Sequence, residues 1–543
     1  MYMVVSKRQK HEFWIDKIAK EVVEREKKLN RGIKKIRTEM GIGASGIPHI
    51  GSASDGIRAY GIKLGVEDLG KDSELIAFSD TRDGLRKVPA DLPNSLEEHI
   101  GKPVTNIPDP FEDGHKSYGD HMSSLLIDAF EKLGMKFVFF SGAEVYKSGL
   151  LNDQIDKILL NSNKVGEIVK RLTGQEKFTE LLPYFPVCEA CGRIYTTRSY
   201  KLVHPESKVL YKCDQQFTGK NNNTGKEIVV DGCGHEGEAS YFNGNGKLSW
   251  KVEFAARWVA LKISFEAYGK DIADSVKVND AVCREILGFE PPLHVMYELF
   301  LQKSGKKISK SAGNVFTPQV WLKYGSPQSL VLLMFKRFIG TRELDISDIP
   351  KYINELNHIE KVYFGKEKIK DKKESENLKR LFEYVNFLKV DKSRGVQVPY
   401  EVMIEIAKIL PNKNQVEFAI NKLKEFGYVK KSDKKIEEAV MKKLGYAMNW
   451  VSDFVEEEIS VVKLSAQERL AIKNLVQAIN ETKDGEKLQN KIFAIAKSSN
   501  IKPADFFKLI YRIILKSDRG PRLGEYIIQV GREDVVKKLQ SVL

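Results

Sequence analysis

Two short segments, far apart in the chain, have the residue types that hold a triphosphate. The first is Pro48-His49-Ile50-Gly51-Ser52. It follows a stretch at 36–42 that reads as a strand and precedes helical spacing of Ile57, Tyr60, Gly61 and Leu64. Gly41, Gly43 and Gly46 break the strand. A strand, a glycine-rich turn and a helix present free N–H groups at the positive end of the helix, which suits phosphate or ribose oxygens. Gly51 is expected to let a nucleotide approach the backbone. His49 is expected to donate a hydrogen bond to a phosphate oxygen as charge builds. Ser45, Gly46, His49, Gly51 and Ser52 are therefore candidate ATP contacts. The second segment, 304–314, is basic and rich in small residues. Lys307 and Lys310 reach a triphosphate as point charges, and Ser309 adds a hydroxyl donor. Gly305 and Gly313 allow the loop to close. Each segment alone is weak: a glycine-rich turn with a surface histidine, and a solvated Lys/Ser linker. Together, in this order, they imply ATP held for attack at its α-phosphate, with His49, Lys307, Ser309 and Lys310 around it. His49, Lys307 and Lys310 are the catalytic candidates.

A second chemistry lies in the cysteines. Cys188 and Cys191 form a two-residue knuckle, followed by Cys213 and Cys233. Four thiolates close a tetrahedral structural Zn²⁺ site with no open position. The later spacing is irregular, and His235 stands as an alternative to Cys233. The surrounding sequence is polar, with Asn221-Asn222-Asn223 among it, and buries little, so a metal would supply folding energy. Cys283 stands apart.

The elements that must place these groups form an α/β class domain, a doubly wound parallel sheet of Rossmann-like type. Residues 1–183 read as an N-terminal amphipathic helix and the first half of the nucleotide-binding domain, with further strands near 75–78 and 137–140. Residues 184–245 are the Cys-rich insertion. The second half resumes at 246–340, with helices through about 288 and a strand at 293–301 leading into the Lys/Ser loop. Residues 341–543 have charged helical patterns and few glycines, and read as an all-α domain. The chain has 543 residues, 42% of them hydrophobic, which fits a multidomain globular protein rather than a disordered one. Its net charge of +14 favours a polyanionic partner. No apolar run approaches the roughly 18 residues needed to span a bilayer. The N-terminal residues Lys7, Arg8, Lys10, Glu12 and Asp16 lack signal-peptide character. A cytoplasmic protein, monomeric and without a membrane partner, is the expectation.

The two phosphate-holding segments resemble the HIGH and KMSKS signatures of class I aminoacyl-tRNA synthetases, here His-Ile-Gly-Ser and Lys-Ile-Ser-Lys-Ser. The resemblance spans nearly the whole chain. Segments 78–93, 101–121 and 250–271, and the tail at 519–527, are similar to the archaeal-type class I lysyl-tRNA synthetases. The resemblance implies that ATP, with Mg²⁺, and lysine give lysyl-adenylate and then lysyl-tRNA(Lys). It also implies a zinc insertion between the signatures and a helical anticodon-binding domain. Selecting lysine needs a carboxylate for its ammonium and an apolar wall for its stem. Asp80 and Asp83, after the second strand, are candidates for the substrate's α-amino group or side chain, and Glu298 is another. The resemblance places Trp250 in the pocket, and Gly41, Gly43 and Tyr297 join the substrate set. Gly43 and Ile272 depart from the commonest family residues, Thr and His.

Overall fold

The computed structural model describes residues 13–242, 244–297, 300–302, 315–337, 342–455, 464–515 and 520–543. It divides into two compact units: 1–322 with 327–392, and 323–326 with 393–543.

The first unit is built on a five-stranded sheet, β1 (Ile36–Ile42), β2 (Ser73–Ser79), β3 (Val138–Ser141), β4 (Ile263–Gly269) and β5 (Leu293–Tyr297). All pairings are parallel, in the order β5-β4-β1-β2-β3. The chain starts at the centre, builds one side, then returns to build the other. The connections therefore diverge between β1 and β4, and a cleft opens at the carboxyl ends of those strands. Helices α1 (Trp14–Leu29), α2 (Ser52–Asp68), α3 (Tyr118–Lys132), α4 (Trp250–Leu261) and α5 (Ala273–Glu285) accompany the sheet. Ile15, Ala19 and Val22 are the buried stripe of α1, and Asn30, at φ 46°, stops it. Ser117 caps α3 by accepting from the Asp120 N–H at 3.2 Å.

Strand β4 corrects the sequence reading, which placed only helices between 248 and 288. Ile263–Gly269 sits between β1 and β5, buried almost throughout. A short apolar run flanked by two helices is not separable from helix by periodicity; burial on both sheet faces decided it. The strand expected at 293–301 is two strands: β5, and Phe300–Gln302, which pairs with Arg342–Leu344.

The Cys-rich insertion is mainly β. Arg198–Val203, Lys208–Lys212 and Glu236–Ser240 form one antiparallel sheet. Phe217–Asn221 pairs with Glu227–Val230 and with Lys87–Val88, a short strand beside the cleft. Tyr184–Pro186 and Gly246–Leu248 pair where the insertion leaves and rejoins the domain.

The compact division falls at 392/393 rather than 340/341. Helices Ile349–Tyr363 and Lys372–Val385 belong to the first unit. Arg380 explains this: its guanidinium, 3% exposed, bonds Asp16 of α1 at 2.7 Å and Asp68 of α2 at 2.6 Å. The second unit is helical throughout its described residues from Tyr400–Lys408 to Arg532–Gln540. Its helices start at side-chain caps such as Asp433, Ser465 and Asp484, around cores that include Met403, Leu423 and Val440, and Ile472, Leu488 and Phe506. A cavity of about 580 Å³ lies within this unit, lined in part by Phe426, Lys408 and Arg522. Among the described residues no helix is long and apolar enough to cross a membrane.

Candidate active site at the sheet switch point

The turn after β1 carries His49 at the floor of the cleft. Its Nδ1 accepts the Gly51 N–H at 3.0 Å, which leaves the ring proton on Nε2. Solvent reaches the ring from the cleft mouth, but the protein around it lowers its pKa, and Lys87 lowers it further against the pull of Asp271. The imidazole is thus neutral near pH 7 and offers Nε2–H as a donor. The Ser52 N–H bonds the His49 carbonyl at 2.8 Å, which starts α2. The Ser45 carbonyl accepts from the Tyr118 hydroxyl at 3.1 Å. Gly51 has φ −65°, so no left-handed conformation requires glycine there. A Cβ on Gly41 or Gly43 would meet no atom within 4 Å, whereas one on Gly46 would press on Pro89 at 3.3 Å. Gly41 and Gly43 border open cleft.

Glu298, Lys307, Ser309 and Lys310 lie outside the described residues. One flank of their segment contacts the first motif, and the other contacts the helix that follows it. The Ile50 N–H bonds the Phe316 carbonyl at 2.7 Å. The Tyr297 ring lies 4.5 Å from the Arg58 guanidinium of α2, and Tyr297 is buried.

Beside the turn, after β2, a buried charge cluster forms. The Asp80 N–H bonds the Ile42 carbonyl at 2.9 Å, which ties the two strand ends together. Arg257, on α4, reaches Glu39 at 2.8 Å, Asp80 at 3.2 Å and Glu266 at 3.6 Å. Lys247 bonds Asp83 and forms an ion pair with Glu253 at 2.8 Å. The Tyr146 hydroxyl donates to Glu253 at 2.8 Å. The Trp250 indole N–H donates to Asp83 at 3.3 Å.

The two aspartates therefore differ. Asp83 is already matched by Lys247 and Trp250. Asp80 Oδ1 has one long bond from Arg257, whereas Asp83 Oδ1 takes both of its bonds; the second oxygen of each has no hydrogen-bond partner among the described residues. Burial, then the neighbouring Asp83 charge, pushes the Asp80 carboxyl up to about 7, with Arg257 opposing. The cluster holds five carboxyl groups, Glu39, Asp80, Asp83, Glu253 and Glu266, with two cations paired to them, Lys247 and Arg257, and a third, Arg86, close enough to interact with Asp83 and Asp80. Burial likewise raises Glu39 and Glu266, and it pushes Asp55, at the start of α2, up to about 8.

Sequence reasoning missed Glu39, Asp55, Lys247, Glu253 and Arg257. One signal was available: Trp250, Glu253 and Arg257 are spaced i, i+3, i+7, one face of a helix.

In the insertion, the Cys188 and Cys233 sulfurs are 3.6 Å apart, and those of Cys191 and Cys213 are 3.7 Å apart. All four sulfurs lie within 4.8 Å of one another. Zn–S bonds of about 2.3 Å in a tetrahedron put sulfurs about 3.8 Å apart, so this set fits zinc. His235 is not among the groups that converge there. A second set, Asp109, Asp113, His115 and His121, also converges within 4.8 Å and could hold a metal ion. The sequence reading did not single it out.

A nucleotide-type cleft with this turn at its floor defines a class I synthetase fold. A family model described as "tRNA synthetases class I (K)" matches residues 12–387. A lysine–tRNA ligase of Cenarchaeum symbiosum is 45% identical over 530 residues, 98% of each chain. One of Rickettsia felis is 28% identical over 93% of this chain and 92% of its own. A solved glutamate tRNA ligase of Elizabethkingia meningosepticum covers 93% of this chain and 99% of its own at 12% identity, with a TM-score of 0.42. The chain belongs to the class I (K) tRNA synthetase family.

Proposed function

We propose that the protein is a lysine–tRNA ligase, which joins lysine to ATP as lysyl-adenylate with release of pyrophosphate, then transfers lysine to the 3′ end of tRNA(Lys). The observation that carries the choice of lysine is the concentration of carboxyl groups in the buried cluster after β2. Five carboxyl groups face Lys247 and Arg257, with Arg86 as a third cation near Asp83 and Asp80, and the second oxygens of Asp80 and Asp83 have no hydrogen-bond partner among the described residues. A cationic amino acid completes that balance; a neutral or acidic one does not.

In this reading the lysine carboxylate attacks the α-phosphorus in line. It is already ionised, so no general base is needed. His49 Nε2–H donates to phosphate oxygens as charge develops, and Ser45, Gly46, Gly51 and Ser52 shape the nucleotide turn. Lys310, assisted by Lys307 and Ser309, covers the departing pyrophosphate. Mg²⁺ supplies further neutralisation of the phosphates when bound. Asp80 holds an ammonium of the substrate, Asp83 fixes Trp250 in place, and Gly41 and Gly43 leave room for the substrate. Tyr297 and Glu298 lead into the closing loop. The helical unit binds tRNA, and the enzyme acts in the cytoplasm as a monomer. A pyrophosphate-exchange panel over the amino acids tests the proposal; exchange driven by glutamate or glutamine instead of lysine would overturn it.

Asp80 gives a pH signature. Binding an ammonium needs the carboxylate, and in the free site that group is protonated below about pH 7. Protons therefore compete with lysine. KM for lysine is expected to rise about tenfold per pH unit below 7, while kcat changes less. A KM that is flat from pH 5.5 to 8 would remove Asp80 from this role.

Cys188, Cys191, Cys213 and Cys233 hold a structural Zn²⁺. Purified protein is expected to contain zinc, and Cys188→Ser to lose it together with cooperative melting of the insertion. Full zinc content in that variant would contradict the assignment.

A further inference from the structure

The insertion does more than hold its own metal: it reaches the amino-acid wall of the cleft. The Tyr195 hydroxyl, four residues beyond Cys191, accepts from the Gly84 N–H at 3.2 Å and from Arg86 Nε at 3.2 Å. A Cβ on Gly84 would come within 2.6 Å of the Tyr195 ring, so only glycine permits this contact. The Ile194 N–H bonds the Gly101 carbonyl at 2.7 Å, and the Gly101 N–H bonds the Leu85 carbonyl at 2.8 Å. The segment carrying Arg86 is thus held from both sides.

The guanidinium of Arg86 lies 5.0 Å from the Tyr195 ring and 5.7 Å from the Trp250 ring. Such contacts fix a cation's direction without neutralising it. Arg86 is exposed, and its terminal nitrogens have no hydrogen-bond or ion-pair partner among the described residues. Trp250 in turn bonds Asp83. One wall therefore presents an indole, a carboxylate bonded to Lys247 and Trp250, and a guanidinium that has no ion-pair partner among the described residues.

An amino acid seated here has a difficulty. Its amines suit the anionic cluster, but its carboxylate is repelled by it. A nearby fork of N–H donors resolves this, because guanidinium matches carboxylate bidentately.

We propose that Arg86 is the anion-binding residue at the amino-acid end of the cleft, taking the carboxylate of the bound amino acid, with Tyr195 of the Cys-rich insertion as its positioning residue. The proposal rests on the lysine-activation reading. The insertion thereby sets amino-acid affinity.

Calorimetry with full-length wild type and Arg86→Met, using lysine and cadaverine, tests it. Cadaverine keeps both ammonium-bearing ends of the chain but lacks the carboxylate. Lysine Kd is expected to rise about 10- to 100-fold in Arg86→Met, the scale of a charge-assisted pair. Cadaverine Kd should change less than about threefold. An unchanged lysine Kd with a raised KM for ATP would mean that Arg86 serves phosphate, and it would overturn the proposal. Equal losses for lysine and cadaverine would do the same. Tyr195→Phe is expected to raise lysine KM about three- to tenfold at near-normal kcat; no change there would overturn the positioning half. A wild type that binds no lysine would instead refute the functional reading, so the two failures are distinct.

Discussion

Replacing His49 by alanine is expected to slow lysine-dependent pyrophosphate exchange by about 100- to 1,000-fold, roughly 3–4 kcal/mol of barrier, while lysine affinity stays near wild type. The reasoning is geometric. Gly51 N–H fills Nδ1, so the only donor the neutral ring can offer is Nε2–H. The surrounding protein, which takes water from part of the ring, and the Lys87 charge lower its pKa and favour the neutral imidazole, so it supplies a hydrogen bond rather than a fixed charge. That interaction grows as the phosphates gain charge, so its loss appears in kcat more than in KM. The side chain is exposed, and its removal leaves no core cavity. His49→Asn, which retains a donor, should recover part of the rate. Near-normal exchange in His49→Ala would remove the histidine from the reaction.

Replacing Arg257 by leucine is the second large effect. Its side chain is 2% exposed and ion-paired with Glu39, which is fully buried. Removing one partner of a buried pair leaves uncompensated charge, at a cost of about 3–5 kcal/mol. Urea unfolding should show that loss. The sign of its pH dependence follows from the carboxylates left behind. Without Arg257, Glu39 and Glu266 titrate still higher in the folded state than in the unfolded chain. The folded state then holds more protons, so the variant loses stability as pH rises and regains it as pH falls. The double variant Arg257→Leu/Glu39→Gln should recover part of the loss. A deficit under about 1 kcal/mol near neutral pH would show that the charges are not uncompensated.

These two residues also mark how far the sequence could be read. His49 stands in a motif whose neighbours announce its setting: a strand, a turn and a helix contiguous in the chain. Arg257 stands in a helix like any other, and its partners Glu39, Asp80 and Glu266 come from three different strands or strand ends. The set Cys188, Cys191, Cys213 and Cys233 was legible because thiol spacing carries its own chemistry. The choice of Cys233 over His235 required the convergence of the sulfurs. Strand β4 was missed because seven residues between two helices carry too little period to oppose them.

The sequence by itself determined the order of the two signature segments, the four-cysteine set and the helical character of the tail. Each of these is written in neighbours along the chain, where hydrogen bonding and periodicity act locally. Only the tertiary structure decided which cation each carboxylate meets. Asp80 and Asp83 look alike in the sequence, yet Lys247, 164 positions from Asp83, pairs with Asp83 while Arg257 pairs with Asp80. Tyr195 and Arg86 likewise meet across 109 positions. Charge balance in a buried site is a property of whichever groups the fold brings within a few ångströms, and the spacing of residues along the chain does not record it.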